Sequence, residues 1–303
     1  MLAGEQRALI DSKFEKINSL PTLPDIALRI NEIISDPEAS MRQMESVIEI
    51  DPSLSSTILK VVNSSFYGMA REISSLRLAL VILGTKEIKN LVLSLAVFRL
   101  LSKERTLEYF DYKNFWQHSA ATGQIAKTLA GKLKLHFEGE EFVGGLIHDI
   151  GKVVLLEYDF ENYSPVLEAS IRDNQSLEEL EMDEFGFHHG HVGGWLAEQW
   201  HLPRKLIEAI IYHVEPEKSP DHQQLVGVVS LANKLSHLPG NNGQLGSELP
   251  LVSEDHPAIQ VLMDHTSGME KIDWDAFSEE IQQDVESAIE FVSLSQQSLW
   301  QTA

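Results

Sequence analysis

Apolar residues recur along this chain at steps of three and four, and no segment alternates convincingly at every second position, so the pattern predicts helices throughout. After an extended entry at Pro21-Thr22-Leu23-Pro24, Asp25 precedes a helix carrying Ile26, Leu28, Ile30 and Ile33-Ile34, and Met41, Met44, Val47 and Ile48 form the next stripe. Asp51-Pro52 places an acid at a cap and a proline at the first helical position, where its missing N–H costs nothing, and Leu54, Ile58, Val61 and Val62 follow. The turn Asn63-Ser64-Ser65-Phe66-Tyr67-Gly68 breaks the pattern. Ser74 or Ser75 reopens it with Leu76, Leu80 and Leu83, Gly84 closes that helix, and Thr85 caps a long apolar helix that runs to Leu101. A second helical set over residues 107–238 is richer in histidine and aromatic residues. Residues 239–256 read as a solvated loop, and an amphipathic helix with Phe277, Ile281, Val285, Ile289 and Val292 closes the chain over the core.

At 303 residues and 43% hydrophobic content the chain can bury a large core. Its 24 Lys+Arg against 46 Asp+Glu leave a net charge of -22, which opposes the counterion release behind nucleic-acid binding; Lys132, Lys134 and His136 make only a small basic turn. The absence of cysteine excludes disulfides, thiolate metal sites and cysteine nucleophiles. The first twenty residues have no basic segment followed by an unbroken apolar run, and the apolar stretch 90–101 is interrupted by Ser94 and Arg99 and too short to span a bilayer. The expectation is a cytoplasmic protein that neither enters the membrane nor binds nucleic acid directly.

The candidate chemistry lies in the histidines. His118 shares a helical stripe with Thr122, Ile125 and Leu129 and faces inward. His148 and Asp149 are adjacent on one predicted helix, about 100° apart around it, and Gly144, Gly145 and Gly151 beside them allow close backbone approach. An ionised inward aspartate needs a metal, a lysine or a hydrogen-bond donor, and Lys152, three residues on, can reach it or a phosphate. His189 stacks with Val192, Gly193, Leu196 and Trp200, while His188 and His191 fall off that stripe; His213 lies with Leu206, Ala209 and Ile210, and Asn233 with Val226, Val229 and Ser230. Each residue alone reads as an ordinary core position. Together they form the mixture that metal chemistry uses, in which imidazoles set geometry and carboxylates supply charge.

These residues resemble the HD superfamily of metal-dependent phosphohydrolases through His118, His148-Asp149 and position 233. More specifically, the chain resembles the HDOD domain, through Leu20-Pro21-Thr22-Leu23-Pro24, Asp51-Pro52, Lys60-Val61-Val62-Asn63-Ser64, Phe66-Tyr67-Gly68, Ile82-Leu83-Gly84, Trp116-Gln117-His118-Ser119, Gly145-Leu146-Ile147-His148-Asp149-Ile150-Gly151-Lys152 and Trp200-His201-Leu202-Pro203. The resemblance covers residues 20–238. It implies an all-α, HD-like helical bundle with an N-terminal helical subdomain (1–106), an HD-like subdomain with a degenerate metal site (107–240), and a loop with a C-terminal helix packed on the core (241–303). It also implies a bacterial signalling or stress-regulatory role, generally without hydrolase activity.

Departures from the hydrolase pattern bear on that role. Asn233 stands where the last Asp ligand belongs, and no Gly-Tyr-Pro element follows His189, which disfavours the cyclic-dinucleotide branch. A remnant site of His118, His148, Asp149, His189, His213 and Asn233 is expected to bind iron, manganese, zinc or magnesium at low occupancy. The preferred reading is a non-catalytic regulator working through protein partners or a nucleotide-like ligand. The competing reading is a metal-dependent phosphohydrolase of a nucleotide or other phosphate ester, with Lys152 on phosphate. Phe66-Tyr67 and Phe115, Trp116, Trp195 and Trp200 read as core, and the acidic run Ser176 to Glu184 reads as a solvated helix face.

Overall fold

The computed structural model describes residues 4–14, 21–35, 40–101, 106–107, 109–236 and 255–299. The expected loop therefore falls almost entirely outside the described residues, as do Leu20 and Leu238.

An N-terminal helical set comprises α1 (Gly4–Phe14), α2 (Asp25–Ser35), α3 (Met41–Ile48), α4 (Pro52–Val62) and α5 (Leu76–Leu101). Local chemistry fixes its boundaries. Ser40 and Gln43 form a reciprocal capping box on α3; Asp51 accepts from the Leu54 N–H at 2.9 Å with Pro52 in the first turn of α4; and Ser75 Oγ accepts from the Leu78 N–H ahead of α5. Gly84, at φ 84° and ψ 163°, breaks α5 into two helical stretches, a conformation that a side chain at this position would resist. α2, α3 and α4 pack on α5.

A two-residue antiparallel pair, β1 (Thr106–Leu107) with β2 (Phe110–Asp111), then leads into the second set. This small ladder is the exception to the all-helical expectation, and its strands are too short for any alternation to register in the sequence. The second set is α6 (Tyr112–Lys132), α7 (Glu140–Ile147), α8 (Ile150–Tyr158), α9 (Phe160–Asp173), α10 (Leu177–Phe185), α11 (His189–Gln199), α12 (Arg204–Tyr212) and α13 (Gln223–Ser236), followed by α14 (Pro257–His265) and α15 (Trp274–Leu299). α6 is the central helix, in contact with α7, α13 and α15, while α11 packs between α8 and α12. α15 lies against both α4 and α6, so it touches both helical sets. Its buried stripe is Phe277, Ile281, Val285, Ala288, Phe291 and Val292; Ile289, expected inward, is 38% exposed.

One apolar cluster runs through both sets. Phe66 sits within it, its ring 4.9 Å from that of Phe142 and 5.2 Å from that of Phe291, so the Phe66-Tyr67 turn is a packing element. Phe115, Trp116, Trp195 and Trp200 are likewise buried. No described helix is long and apolar enough to cross a membrane.

Candidate metal centre

The His–Asp pair is not on one helix. α7 ends at Ile147, His148 caps it, and Asp149, at φ -98° and ψ 8°, precedes α8, so both side chains project from a helix junction. Two close approaches hold that junction in place. A Cβ on Gly145 would stand 2.5 Å from the Gly123 Cα of α6, and one on Gly151 would stand 1.9 Å from the His189 carbonyl oxygen of α11. Glycine at these positions lets α7 and α8 press against the helices that carry His118 and His189.

Asp149 is the hub. It is 1% exposed, and its two oxygens face different partners. Oδ1 lies 3.0 Å from His189 Nε2 and 3.3 Å from His213 Nε2; Oδ2 lies 2.7 Å from Lys152 Nζ, 3.3 Å from His148 Nε2 and 3.7 Å from His118 Nε2. The ligand-capable atoms thus form two groups that share Asp149, namely His118, His148 and Asp149, and Asp149, His189 and His213. Like the pair, His213 is a helix terminus, the C-cap of α12. His118 keeps its inward orientation with 18% of its side chain exposed, while His148, His189 and His213 are buried.

Every one of these imidazoles is oriented through its Nδ1. His148 Nδ1 donates to the Gly145 carbonyl at 2.6 Å, His213 Nδ1 to the Ile210 carbonyl at 2.7 Å, and His189 Nδ1 to Glu181 Oε2 at 2.7 Å. Ser236 Oγ spends its proton on the Asn233 carbonyl at 2.7 Å and so accepts from His118 Nδ1 at 3.1 Å. These Nδ1 contacts follow from the hydrogen-bond network, and they turn all four Nε2 atoms toward Asp149. His148 Nε2 is buried with no hydrogen-bond partner. A buried lone pair with no donor aimed at it, in a set of four rings held by their far nitrogens, fits a transition metal.

The charges balance internally as well. Burial works against ionisation of Asp149, but the His148 imidazole, the Lys152 ammonium and His189 hold it well below the usual carboxylate range. Burial likewise works against the His189 imidazolium, and the Glu181 and Asp149 carboxylates outweigh it, pushing the group up to about 9. His213, with burial dominant, is pushed down to about 4.

Glu181 corrects the reading of the acidic run as a solvated face. It is fully buried and accepts from Tyr163 Oη at 2.6 Å, the His189 N–H at 2.8 Å and His189 Nδ1. Glu178, half-buried one turn earlier, is pulled down to about 2 against its burial by His189 and Lys152. The signal was present, because Leu177, Glu181 and Phe185 are spaced four apart and share one face of α10. His188, left unassigned by its stripe, is the N-cap of α11, its Nδ1 accepting from the Gly190 N–H.

Asn233 lies on α13 and is half-buried. Its main chain enters the centre through Ser236, whose Oγ also sits 2.9 Å from Thr122 Oγ1. It therefore occupies the turn of α13 that abuts the His118 turn of α6.

Residues 20–216 match the HDOD domain. The chain belongs to the HDOD family. A curated relative from Treponema pallidum (strain Nichols), an uncharacterized protein, is 26% identical over 223 residues, spanning 72% of this chain and 42% of its own length, so the chain covers about two fifths of that relative. A crystal structure of an HDOD domain protein of unknown function from Geobacter sulfurreducens superposes with a TM-score of 0.79 at 25% identity, over 95% of this chain and 98% of that one. A protein from Shewanella amazonensis SB2B named "putative phosphohydrolase" shares the fold, with a TM-score of 0.72 at 21% identity over 95% of this chain and 98% of that one.

Proposed function

We propose that this HDOD protein is a bacterial regulator acting in signal transduction through a protein partner or a nucleotide-like ligand, and that its His–Asp centre is retained as a charge-balanced core. The observation that carries this reading is the charge inventory at the centre. Asp149 is the single carboxylate shared by both ligand groups, and Lys152 already pairs with it at 2.7 Å. Glu181 sits behind His189, on the Nδ1 side, and position 233 supplies an amide. Two-metal phosphoester hydrolysis gathers its ions with anionic ligands and needs a bridging carboxylate that is free to bind them. Four imidazoles around one lysine-paired carboxylate are a softer, less charged set, suited to zinc or iron over magnesium. Within the same reading, residues 1–106 form the N-terminal helical subdomain, 107–240 the HD-like one, and 241–303 a segment packed on the core.

The convergence of four Nε2 atoms on Asp149 favours a second reading, a metal-dependent phosphohydrolase. His118, His148, Asp149, His189 and His213 would hold the metal, which when bound would supply an activated water and polarise the phosphoryl group. In that case Lys152 moves from Asp149 to the phosphate, and Glu181 keeps His189 oriented. Turnover of simple phosphate mono- and diesters by manganese-, iron- and zinc-loaded protein separates the two. The regulatory reading expects wild type to match His148→Ala; turnover that vanishes in His148→Ala refutes it.

A further inference from the structure

The first half of α5 is apolar on both of its sides. Leu76, Ala79 and Leu80 are buried, on the helix against which α2, α3 and α4 pack. Leu78, Val81 and Ile82, set three and four apart on the opposite face, are 36%, 62% and 49% exposed. Ile82 opens the Ile82-Leu83-Gly84 element, and core packing does not account for its apolar side chain. The helix break follows at once. A Cβ built on Gly84 would meet no atom within 4 Å, so the stripe runs into open space. Three aliphatic side chains presented together on one exposed helix face mark a contact surface.

Charge supplies a second observation at the same place. Acids outnumber cations 46 to 24 along the chain, yet residues 52–90 carry five cations, Lys60, Arg71, Arg77, Lys86 and Lys89, against two acids, Glu72 and Glu87. Glu87 is drawn inward, accepting from Tyr67 Oη at 3.0 Å and Lys127 Nζ at 3.4 Å. The side-chain amide of Asn63, at the end of α4, holds the Ile73 main chain at 2.7 and 2.9 Å, which fixes Arg71 beside the start of α5. Arg71 is exposed and has no ion-pair partner among the described residues, and Arg77, next to Leu78, reaches Glu45 at 3.6 Å. The apolar stripe therefore emerges in the basic region of an otherwise acidic molecule.

We infer that this face docks an acidic amphipathic helix of a protein partner, its aliphatic stripe on Leu78, Val81 and Ile82 and its flanking carboxylates on Arg71 and Arg77. A second copy of this chain on the same face would set Arg71 and Arg77 against their own counterparts about a two-fold axis. An anionic membrane surface would be opposed by a molecule of net charge -22. The surface lies outside the His–Asp centre and stands whether or not that centre hydrolyses phosphate esters.

The probe is a fluorescein-labelled, end-capped peptide of roughly 18 residues, long enough to be helical once docked, with leucine at steps of three and four and glutamate at the flanking positions; its counterpart carries lysine for glutamate. Anisotropy titration with the full chain is expected to show saturable binding of one glutamate peptide per chain, at least roughly tenfold tighter than the lysine peptide. Val81→Glu/Ile82→Glu and Arg71→Glu/Arg77→Glu each weaken it at least roughly tenfold, and the second of these variants gains affinity for the lysine peptide. Ile171→Glu, at an exposed apolar position on α9, binds like wild type. Circular dichroism of each variant establishes that it is folded. No saturable binding, equal affinity for the two peptides, or a folded Val81→Glu/Ile82→Glu that binds like wild type would overturn the proposal. If the peptide fails while the chain pellets with phosphatidylserine vesicles or sediments as a dimer, in either case reversed by Val81→Glu/Ile82→Glu, the face belongs to a membrane or to a second copy and the proposal falls.

Discussion

Replacing Glu181 with Gln removes one buried charge and keeps the side chain's size, which isolates the carboxylate that orients His189. In the native protein that carboxylate accepts from Tyr163 Oη, the His189 N–H and His189 Nδ1, all within 2.8 Å, and both it and the imidazole are fully buried. Raising an imidazole from 6.5 to about 9 corresponds to roughly 3 kcal/mol at ~1.4 kcal/mol per pH unit. The depressed Glu181 carboxyl reports the same interaction from the other partner and is counted once. Breaking a buried pair by removing one member costs about 3–5 kcal/mol, in agreement. Because the folded-state value of His189 lies above the unfolded one, its stabilisation is complete below about pH 6.5 and is lost as pH rises through about 9. Chelator-treated Glu181→Gln should therefore be less stable than wild type by roughly 3 kcal/mol at pH 6, about 5 °C in Tm for a chain of 303 residues, with the deficit shrinking toward pH 10. Thermal and urea unfolding followed by circular dichroism across pH 6–10 measure this. A variant within about 0.5 kcal/mol of wild type at pH 6, or a deficit that does not shrink with pH, refutes the buried ion pair.

Three further outcomes follow from other parts of the structure. Gly151→Ala places a Cβ 1.9 Å from the His189 carbonyl and should destabilise by about 3 kcal/mol or prevent folding, read from urea midpoints and soluble yield. Asp284, buried on α15 beside Gln124, is pushed up to about 6 by burial, so the native state prefers its protonated form and loses stability as pH rises through that value. Asp284→Asn should accordingly stabilise by roughly 1–3 kcal/mol at pH 7.5 with no gain below pH 4; a destabilised variant at pH 7.5 would contradict the assignment. Zinc titrated into chelator-treated protein should displace the proton held by His189, so its apparent affinity rises steeply between pH 6 and 9 in calorimetric titrations, and a pH-independent affinity would argue against His189 as a ligand.

Much of the helical set was legible because its signals are local. Asp51-Pro52 caps α4, Ser75 opens α5 and Gly84 breaks it, each through chemistry confined to one turn. The inward histidines were legible for a related reason, since one stripe of neighbours decides which way a helical side chain points. The helix break at His148-Asp149 was not, because it depends on α6 and α11 pressing against Gly145 and Gly151 from distant parts of the chain. Glu181 was misread for its composition: in a run of acids the charged majority faces solvent, and only the stripe of Leu177 and Phe185, together with the Tyr163 and His189 donors, makes its burial intelligible. Ser236, which turns His118, lies 118 residues away in sequence and carries no pattern that would announce it.

The central claim is that one carboxylate among four imidazoles leaves the centre short of the charge that a hydrolytic pair of ions needs. Counting manganese ions bound per chain by chelator-treated wild type and by Asn233→Asp, an ion that favours carboxylate and other oxygen ligands, tests it most directly. The account predicts fewer than two ions in wild type and at least roughly tenfold tighter manganese binding once the second carboxylate is restored. Two tightly bound ions in wild type, unchanged by Asn233→Asp, would contradict it.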